Sequence, residues 1–315
     1  MKKYYRNMAI NAYGEAARLA KGENLLLYYA LYLMNIASSH RAMAQFENRR
    51  QNLLKSLEYR LEGLKYRTLQ TNPSDFSSSI TLIGIYYCDI AQLEEFDANI
   101  QRAIEAFQSA FVYRNAKTIP VGYADTQSSL GYCYLLRAER NHSQEDLKLA
   151  IQSFEESIQY RPASASPTRY GETLGELGYS YNLYASLVPD DAISHLAKAK
   201  GYFEESLKYH NDVEVTEQAR ILRGQAQTYQ MLAKAENNVA YLDIALDMAK
   251  QALESRLVKC HFADAADSHE QVGWIYHDMG RSEQALESLR EAVQLYRMMD
   301  LNYDADRLSG LIDAL

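Results

Sequence analysis

The chain has 315 residues, a formal net charge of −8 and 47% hydrophobic residues, which is ample apolar content for a buried core. The acidic balance argues against general nucleic-acid binding, and 5 Pro with 14 Gly leave no low-complexity linker. The charge is uneven, because residues 1–70 carry 12 Lys and Arg against 5 Asp and Glu, whereas the remainder carries 21 against 36. We interpret the basic part as a solvated helical surface; contact with an acidic partner or a nucleic acid is the alternative.

Residues 1–24 are basic but lack an apolar core long enough for a signal peptide. Within them Ala9, Tyr13 and Ala16 lie on one helical face, a pattern that recurs further along the chain. We therefore predict a capping helix that closes one end of a helical array. The next apolar stretch, Leu25 to Met34, is too short to span a bilayer. It is predicted to begin the first repeated helix, and self-association through it is left open.

A small residue, followed in most copies by an aromatic side chain three positions later, recurs every 47 or 48 residues. These small residues are Ala37, Gly84, Gly131, Gly178, Ala226 and Gly273. A second pattern, Ala-x3-Phe-x2-Ala, follows most of them, as at Ala103, Phe107 and Ala110. Both patterns have helical spacing, so each unit is predicted to be two antiparallel helices, A and B, that approach closely at the small residues. Residues 25–300 are thus predicted to form six hairpins stacked as a solenoid.

Residues 301–315 follow the last predicted hairpin and carry their apolar side chains on one helical stripe. The members of this stripe are Leu308, Leu311, Ile312 and Leu315. We predict a short capping helix that covers the end of the array. Docking of the same stripe on a second chain is the alternative.

The two patterns together resemble the tetratricopeptide repeat, whose unit of roughly 34 residues reads W-x2-L-G-x2-Y…A-x3-F…P. The last unit keeps that spacing at Val272, Gly273, Tyr276, Ala285, Leu289 and Ala292. The other units carry about seven more residues between the two patterns, or about two helical turns, which predicts longer helices rather than long loops. The third unit, from Ile119 to Phe154, resembles a long-period tetratricopeptide subfamily that is common in bacterial signalling proteins.

This resemblance implies an all-α fold, a right-handed TPR-like superhelical solenoid of antiparallel helix pairs in which helix A lines a concave groove. By the same resemblance, the positions three before, one after and four after each small residue face that groove. These positions, together with the nearby Arg220, give the predicted partner-binding residues: Tyr132, Tyr179, Asn182, Arg220, Arg223, Gln227, Trp274 and His277. Aromatic and Arg side chains commonly dominate binding energy, and an Arg pair can hold a carboxylate.

The sequence contains no phosphate-binding Gly loop and no H-E-x-x-H or G-x-S-x-G motif. Its histidine cluster comprises His261, His269 and His277, whose eight-residue spacing drifts by about 80° around a helix and does not predict a metal site. The cysteines are Cys88, Cys133 and Cys260. Their odd number and the lack of a CxxC pair suit a reducing cytoplasm and do not predict a disulfide framework.

We therefore predict a protein that is not an enzyme and has no cofactor and no metal. Its predicted role is that of a cytoplasmic scaffold or adaptor, in bacterial signalling, that binds a peptide or protein segment in the groove. The alternative is a regulatory sensor whose superhelix changes shape when it binds a signal peptide or a small ligand. An enzyme with a site near His269 and His277 is a third hypothesis. No membrane partner is predicted, and a homo-oligomer is left open.

Overall fold

The computed structural model describes residues 2–210, 215–258 and 261–315, without the side chains at positions 2, 215, 216 and 258. All regular secondary structure in these ranges is helical, in agreement with the predicted all-α fold. The α-helices are α1 (Lys2–Gly22), α2 (Leu26–Met43), α3 (Arg49–Leu64), α4 (Pro73–Ala91), α5 (Phe96–Ala110), α6 (Pro120–Asn141), α7 (Gln144–Tyr160), α8 (Pro167–Leu187), α9 (Ala192–Leu207), α10 (Val215–Ala235), α11 (Ala240–Val258), α12 (Phe262–Asp278), α13 (Ser282–Met298) and α14 (Asn302–Ile312). None of the helices in the described ranges is long and apolar enough to cross a bilayer.

The chain divides into two compact units, Met1–Cys133 and Tyr134–Leu315, with the boundary inside α6. In the first unit α1 packs on α2, and the pairs α2–α3 and α4–α5 form hairpins. In the second unit the hairpins are α8–α9, α10–α11 and α12–α13, and α14 packs on α13. The second helix of one hairpin also packs on the first helix of the next in the pairs α3–α4, α7–α8, α9–α10 and α11–α12. This alternation of A and B helices is the arrangement that the repeat predicts.

The turns within the hairpins are short, because a single residue in the left-handed region reverses the chain. Five of these turns have such a residue, with φ between 46° and 73°: Asn48, Glu95, His142, Asn237 and Gly280. The turn between α8 and α9 instead uses a single 3₁₀ turn at Pro189–Asp191. Three A helices begin at a proline, namely Pro73, Pro120 and Pro167, where the missing N–H costs nothing.

The additional residues of the long units extend the helices, as predicted. Helices α4, α6, α8 and α10 have 19, 22, 21 and 21 residues, whereas α12 of the last unit has 17. The connections that follow the long A helices have 4, 2, 4 and 4 residues, and that of the last unit has 3, so the connections differ by no more than one or two residues. The register of the two packing patterns is therefore preserved.

Glycines in the A helices lie directly against apolar side chains of the B helices. A Cβ at Gly84 would lie 2.6 Å from the Phe107 ring, and one at Gly178 would lie 2.7 Å from the Phe203 ring. Phe203 is fully buried, and a Cβ at Gly224 of the next A helix would also collide with its ring. Phe203 is therefore held between the backbones of two successive A helices, which no larger residue at these glycines would permit.

A buried arginine at the end of a B helix binds the start of the next A helix. Arg161 is 2% exposed and donates hydrogen bonds to the carbonyl of Arg169 (3.1 Å) and the hydroxyl of Thr173 (2.8 Å). Arg256, also 2% exposed, donates to the carbonyl of Asp264 (2.6 Å). These bonds fix the direction in which each A helix leaves the preceding hairpin.

Arginines in the first unit make related contacts at the same sequence spacing. Arg114 donates to the carbonyl of Gly122, eight residues later, at 3.3 Å, and Arg67 binds the carboxylate of Asp75, also eight residues later. Burial lowers the pKa of Arg114, which shows that its charge is desolvated. The sequence interpretation missed this contact, although arginines at 67, 114 and 161 follow the 47-residue period.

Cys88 and Cys133 are joined by a disulfide in the first unit, with their Cα atoms 6.4 Å apart. The expectation of a chain without disulfides is therefore wrong for this pair. The physical reason is the repeat itself, because a separation of 45 residues places both cysteines on facing A helices, α4 and α6. Cys260 lies outside the described residues.

We expect Gly178→Ala to destabilise the protein by about 1–3 kcal/mol, because the added methyl group collides with the Phe203 ring in a closed core. Gly201→Ala in α9 is the matched control, since a Cβ there meets nothing within 4 Å. The control is expected to stabilise the helix by about 0.5–1 kcal/mol. Urea denaturation of the two variants measures both effects, and equal stabilities would contradict this packing.

Candidate functional site

The predicted groove residues are distributed over the two units. Tyr132 is half-buried on α6 in the first unit. The others lie on three A helices of the second unit, α8, α10 and α12: Tyr179, Asn182, Arg220, Arg223, Gln227, Trp274 and His277. The second unit therefore contains the candidate site.

Tyr179 is the centre of a contact between α8 and α10. The edge of its ring faces Phe203, with ring centroids 5.2 Å apart. The guanidinium carbons of Arg220 and Arg223 lie 5.1 Å and 5.6 Å from its ring centre, within the range of a cation–π interaction. Its hydroxyl donates a hydrogen bond to the backbone carbonyl of Arg220. Tyr179 thus connects the core of its hairpin to both arginines.

Arg220 already has two carboxylate partners within the protein. Its guanidinium lies 3.1 Å from Glu176 and 2.6 Å from Glu217. Burial opposes the charge of Arg220, but the two carboxylates outweigh this effect and raise its pKa. Burial also raises the pKa of Glu176, against the opposing charge of Arg220. The positive charge of Arg220 is therefore neutralised before any partner arrives.

Arg223 is held less tightly than Arg220. Its nearest carboxylate oxygen is on Asp267, at 3.6 Å, which is beyond ordinary hydrogen-bond distance. Its Nε is buried and has no hydrogen-bond partner. Burial opposes its charge, but Tyr179 and Asp267 outweigh this effect and raise its pKa. The guanidinium of Arg223 stays protonated and has donor capacity that Asp267 does not fill.

Asn182 is 1% exposed and holds two A helices together. Its amide nitrogen donates to the carbonyl of Gly224 at 3.0 Å, and its amide oxygen accepts from the hydroxyl of Thr228 at 2.8 Å. Both of these partners belong to α10, whereas Asn182 belongs to α8. This residue is therefore part of the contact between hairpins and does not reach the surface.

Three of the predicted residues meet in one open cleft, with a volume of about 410 Å³, between α10 and α12. The residues that line it are Gln227, Gln230, Met231, Lys234, Trp274, His277 and Asp278. Gln227 and His277 are exposed, and Trp274 is half-buried. The cleft is thus formed by the same face of two successive A helices.

The walls of the cleft combine an aromatic surface with a fixed polar rim. The indole N–H of Trp274 donates to Glu270 at 3.3 Å, and the indole ring meets His277 edge to face at 5.9 Å. At the other wall Asp278 accepts from Gln230 at 2.7 Å and pairs with Lys234 at 2.8 Å. These contacts orient the indole and the rim before any ligand binds.

A polar network that sequence reasoning missed lies beside the cleft. The hydroxyl of Tyr296 on α13 is 2.9 Å from the carboxylates of both Asp267 and Glu270 on α12. Arg307 on α14 donates two hydrogen bonds to Glu270, at 2.8 Å and 2.9 Å. Burial raises the pKa of Tyr296, and both carboxylates add to this effect. Only the fold brings these residues together, because they follow no repeat spacing.

The last turn of α6 also contacts the C-terminal helix of the second unit. The guanidinium carbon of Arg140 lies 3.9 Å from the ring centre of Tyr303 on α14, a close cation–π contact. The next residue, Asp304, faces Asp267 and Glu270 as well as Arg307. This contact connects an A helix early in the second unit with its last helix.

The three clustered histidines do not form a metal site in the described ranges. Within residues 2–210, 215–258 and 261–315, no group of three or more His, Cys, Asp and Glu side chains could hold an ion. His261 lies 3.9 Å from Asp264, whereas His277 lines the cleft. Burial lowers the pKa of His269, which favours its neutral form.

A match to the tetratricopeptide-repeat family model covers residues 266–297, which include most of α12 and α13. Comparison with curated proteins gives no match. A thermophilic tetratricopeptide-repeat protein of Thermus thermophilus is similar in structure, with a TM-score of 0.52 and 14% identity. The similarity covers 74% of this chain and 98% of that protein. At this identity the likeness shows the fold, a solenoid of tetratricopeptide type.

Two further solved structures are similar over most of the chain. The C-terminal part of a TPR repeat-containing protein from Cytophaga hutchinsonii has a TM-score of 0.44 and 14% identity, and covers 93% of this chain and 95% of its own. The apo form of the quorum sensor NprR from B. thuringiensis has a TM-score of 0.47 and 15% identity, and covers 93% and 86%.

Asp304 provides a test of the polar network through its pKa. Burial raises the pKa of this carboxyl group to about 6, and the negative charges of Asp267 and Glu270 add to the effect against Arg307. The free energy that a carboxyl group with a raised pKa contributes to the folded state is fully present only below the pKa of the same group in the unfolded chain, which is about 4. This stability is lost as the pH rises through the folded pKa of about 6.

We therefore expect Asp304→Asn to become progressively more stable than the wild type between about pH 4 and pH 6, because the amide carries no charge to desolvate. Asp306→Asn is the control, since it removes a carboxylate whose side chain is 75% exposed on the same helix. Urea denaturation at a series of pH values gives the difference in unfolding free energy. A difference that does not change with pH would contradict this environment of Asp304.

Proposed function

We propose that this tetratricopeptide-repeat protein is a non-catalytic adaptor that binds a peptide or protein segment on the groove face of its second unit. The observation that carries this proposal is the cleft in which Gln227, Trp274 and His277 meet. Tetratricopeptide repeats are a scaffold fold, and the cleft presents an aromatic ring whose indole N–H is already bound by Glu270. The bound segment is proposed to contact the walls of this cleft between α10 and α12.

The chemistry of the cleft favours a segment with an apolar anchor next to a hydrogen-bonding group. Trp274 offers an amphipathic ring whose position is fixed by Glu270, so little conformational entropy is lost on binding. Gln227 is exposed and can pair with peptide groups of the bound backbone. Arg223, on the same helix as Gln227, supplies donor capacity toward a carboxylate or carbonyl of the partner. Arg220 is left out of the proposed contact because its own carboxylates hold it.

Trp274 is the only tryptophan of the chain, so its fluorescence reports on the cleft alone. We expect an arrayed set of peptides from the source proteome to contain a binder that shifts the emission of Trp274. Gln227→Ala/His277→Ala should weaken that binding about tenfold or more, because two side chains that flank the indole are removed. Titration of the selected peptide into each protein measures the change.

Ile193→Ala is the matched control, since this side chain is 51% exposed but lies outside the cleft. It is expected to bind the peptide as the wild type does. A peptide that binds all three proteins equally, without a shift of Trp274 emission, would place the binding surface elsewhere and contradict the proposal.

The cytoplasmic location and the role in bacterial signalling belong to this proposal. A reducing compartment such as the cytoplasm keeps thiols free, whereas the disulfide between Cys88 and Cys133 is expected to persist only in an oxidising one. Alkylation of free thiols in intact cells, followed by mass spectrometry, distinguishes them. Free thiols at both positions support the cytoplasmic location, whereas a disulfide in the native protein contradicts it.

A regulatory sensor is the second candidate function, and the contact between Arg140 and Tyr303 is the observation that favours it. This contact joins the end of α6, at the start of the second unit, to α14, the last helix of that unit. A ligand that competes for the Tyr303 ring or for Arg307 would release α14 from α6. The second unit could then exchange between two arrangements that the ligand selects.

For the sensor, we expect Arg140→Ala to change the small-angle scattering curve of the free protein in the same direction as peptide binding changes that of the wild type. Lys148→Ala on α7 is the control, because it removes a positive charge from an exposed position of the second unit. Identical scattering curves for free, bound and Arg140→Ala proteins would exclude the sensor and leave the adaptor.

A further inference from the structure

Exposed apolar side chains are concentrated at two places in the described chain. Among the large apolar side chains that are exposed there, nine lie between residues 4 and 31 and four lie between residues 298 and 315. The first group includes Tyr5 (60% exposed), Met8 (51%) and Leu19 (59%). Such clusters commonly mark a surface that another molecule covers.

Helix α1 has two apolar faces. One face, with Ile10, Tyr13, Ala17 and Ala20, packs on α2 in the core of the first unit. The other face carries Tyr5, Met8, Ala12 and Leu19, which share one side of a helix at spacings of three, four and seven residues and are all exposed. A helix that caps an array is expected to be polar on its outer face, whereas α1 exposes these apolar side chains beside Asn11, Glu15 and Arg18.

A comparison with another B helix of the first unit supports this interpretation of α1. Helix α5 presents almost only polar residues to solvent: Asp97, Ala98, Gln101, Arg102, Glu105, Gln108 and Ser109. The outer face of α1 is therefore not a general property of the B helices. It is a specific apolar surface that is left without a partner in the described chain.

The charges of the two exposed regions are opposite. Helix α1 contains five basic residues and one acidic residue, which gives a net charge of +4. Residues 282–315 contain seven acidic and three basic residues, which gives −4. The C-terminal region also exposes Met298 (54%), Leu311 (42%) and Leu315 (55%). Each region thus combines apolar contact area with the charge that the other lacks.

We propose that two copies of this chain associate head to tail, with the outer face of α1 in one copy on the surface of α13 and α14 in the other. The occupant of the α1 face is a second copy, because residues 282–315 offer matching charge and apolar side chains on the same protein. A symmetric contact between two α1 helices would instead bring two charges of +4 together. The contact is therefore heterologous, with a different surface contributed by each copy.

Two variants separate the two surfaces. Met8→Glu/Leu19→Glu places acidic groups on the outer face of α1, and Leu311→Lys/Leu315→Lys places basic groups on the C-terminal surface. All four side chains are exposed, so both variants should fold, which circular dichroism verifies. Ile193→Glu/Val239→Glu is the control, because these side chains are 51% and 75% exposed outside both surfaces.

Sedimentation velocity over a range of protein concentrations measures the association. We expect the average mass of the wild type and of the control to rise above the monomer mass of 36.0 kDa with concentration, less so at high salt. Each surface variant alone should remain a monomer. An equimolar mixture of the two surface variants should form a dimer and nothing larger, because one intact surface of each kind remains.

Three results would overturn the proposal. A wild type that stays monomeric at all concentrations would exclude the contact. Association that survives in Leu311→Lys/Leu315→Lys but not in Met8→Glu/Leu19→Glu would indicate a symmetric α1 contact. A monomeric wild type that floats with phosphatidylserine vesicles, and loses this in Met8→Glu/Leu19→Glu, would assign the α1 face to a lipid surface.

Discussion

The close contact between a glycine backbone and a phenylalanine ring sets the distance between the helices on which the other features depend. Phe203 lies against Gly178 of its own hairpin and against Gly224 of the next A helix. Because protein interiors are packed as densely as crystals, a ring held on both sides fixes the two A helices relative to each other. One hairpin later, Ala226 of α10 and Ala249 of α11 pack with Val272 and Tyr276 of α12 in one buried cluster, which positions α12 beside α10 under the cleft.

Buried arginines supply the second constraint, which is one of direction. Arg161 and Arg256 reach from the end of a B helix to carbonyl groups at the start of the next A helix. Their charges are desolvated, and hydrogen bonds to carbonyl and hydroxyl oxygens replace the lost hydration. Apolar packing can tolerate small rotations, whereas these directional bonds restrict them at the starts of α8 and α12. Trp274 lies on α12, so the direction of its helix is set by the bond from Arg256.

The periodic features of the fold could be predicted from the sequence, whereas contacts specific to one pair of hairpins could not. Spacing alone located the six small residues and the longer helices, because packing patterns repeat. The resemblance to the tetratricopeptide repeat also placed Asn182 in the groove, but the side chain binds Gly224 of the neighbouring helix. The carboxylates that neutralise Arg220 come from two different helices, and no pattern within one unit reveals them. Two further signals are visible in the sequence: arginines recur at the repeat period, and Cys88 and Cys133 are separated by nearly one period. Only the fold identifies the groups that these arginines and cysteines contact.

The central claim is that the face shared by α10 and α12 receives the partner. It is tested most directly by placing a photo-crosslinking amino acid at position 227 in the cleft, and separately at position 193 outside it. Each variant is produced in cells of the organism that encodes the protein, and these cells are irradiated. The account predicts a crosslinked partner from position 227 that is absent from position 193. A crosslink from position 193 and none from position 227 would contradict it.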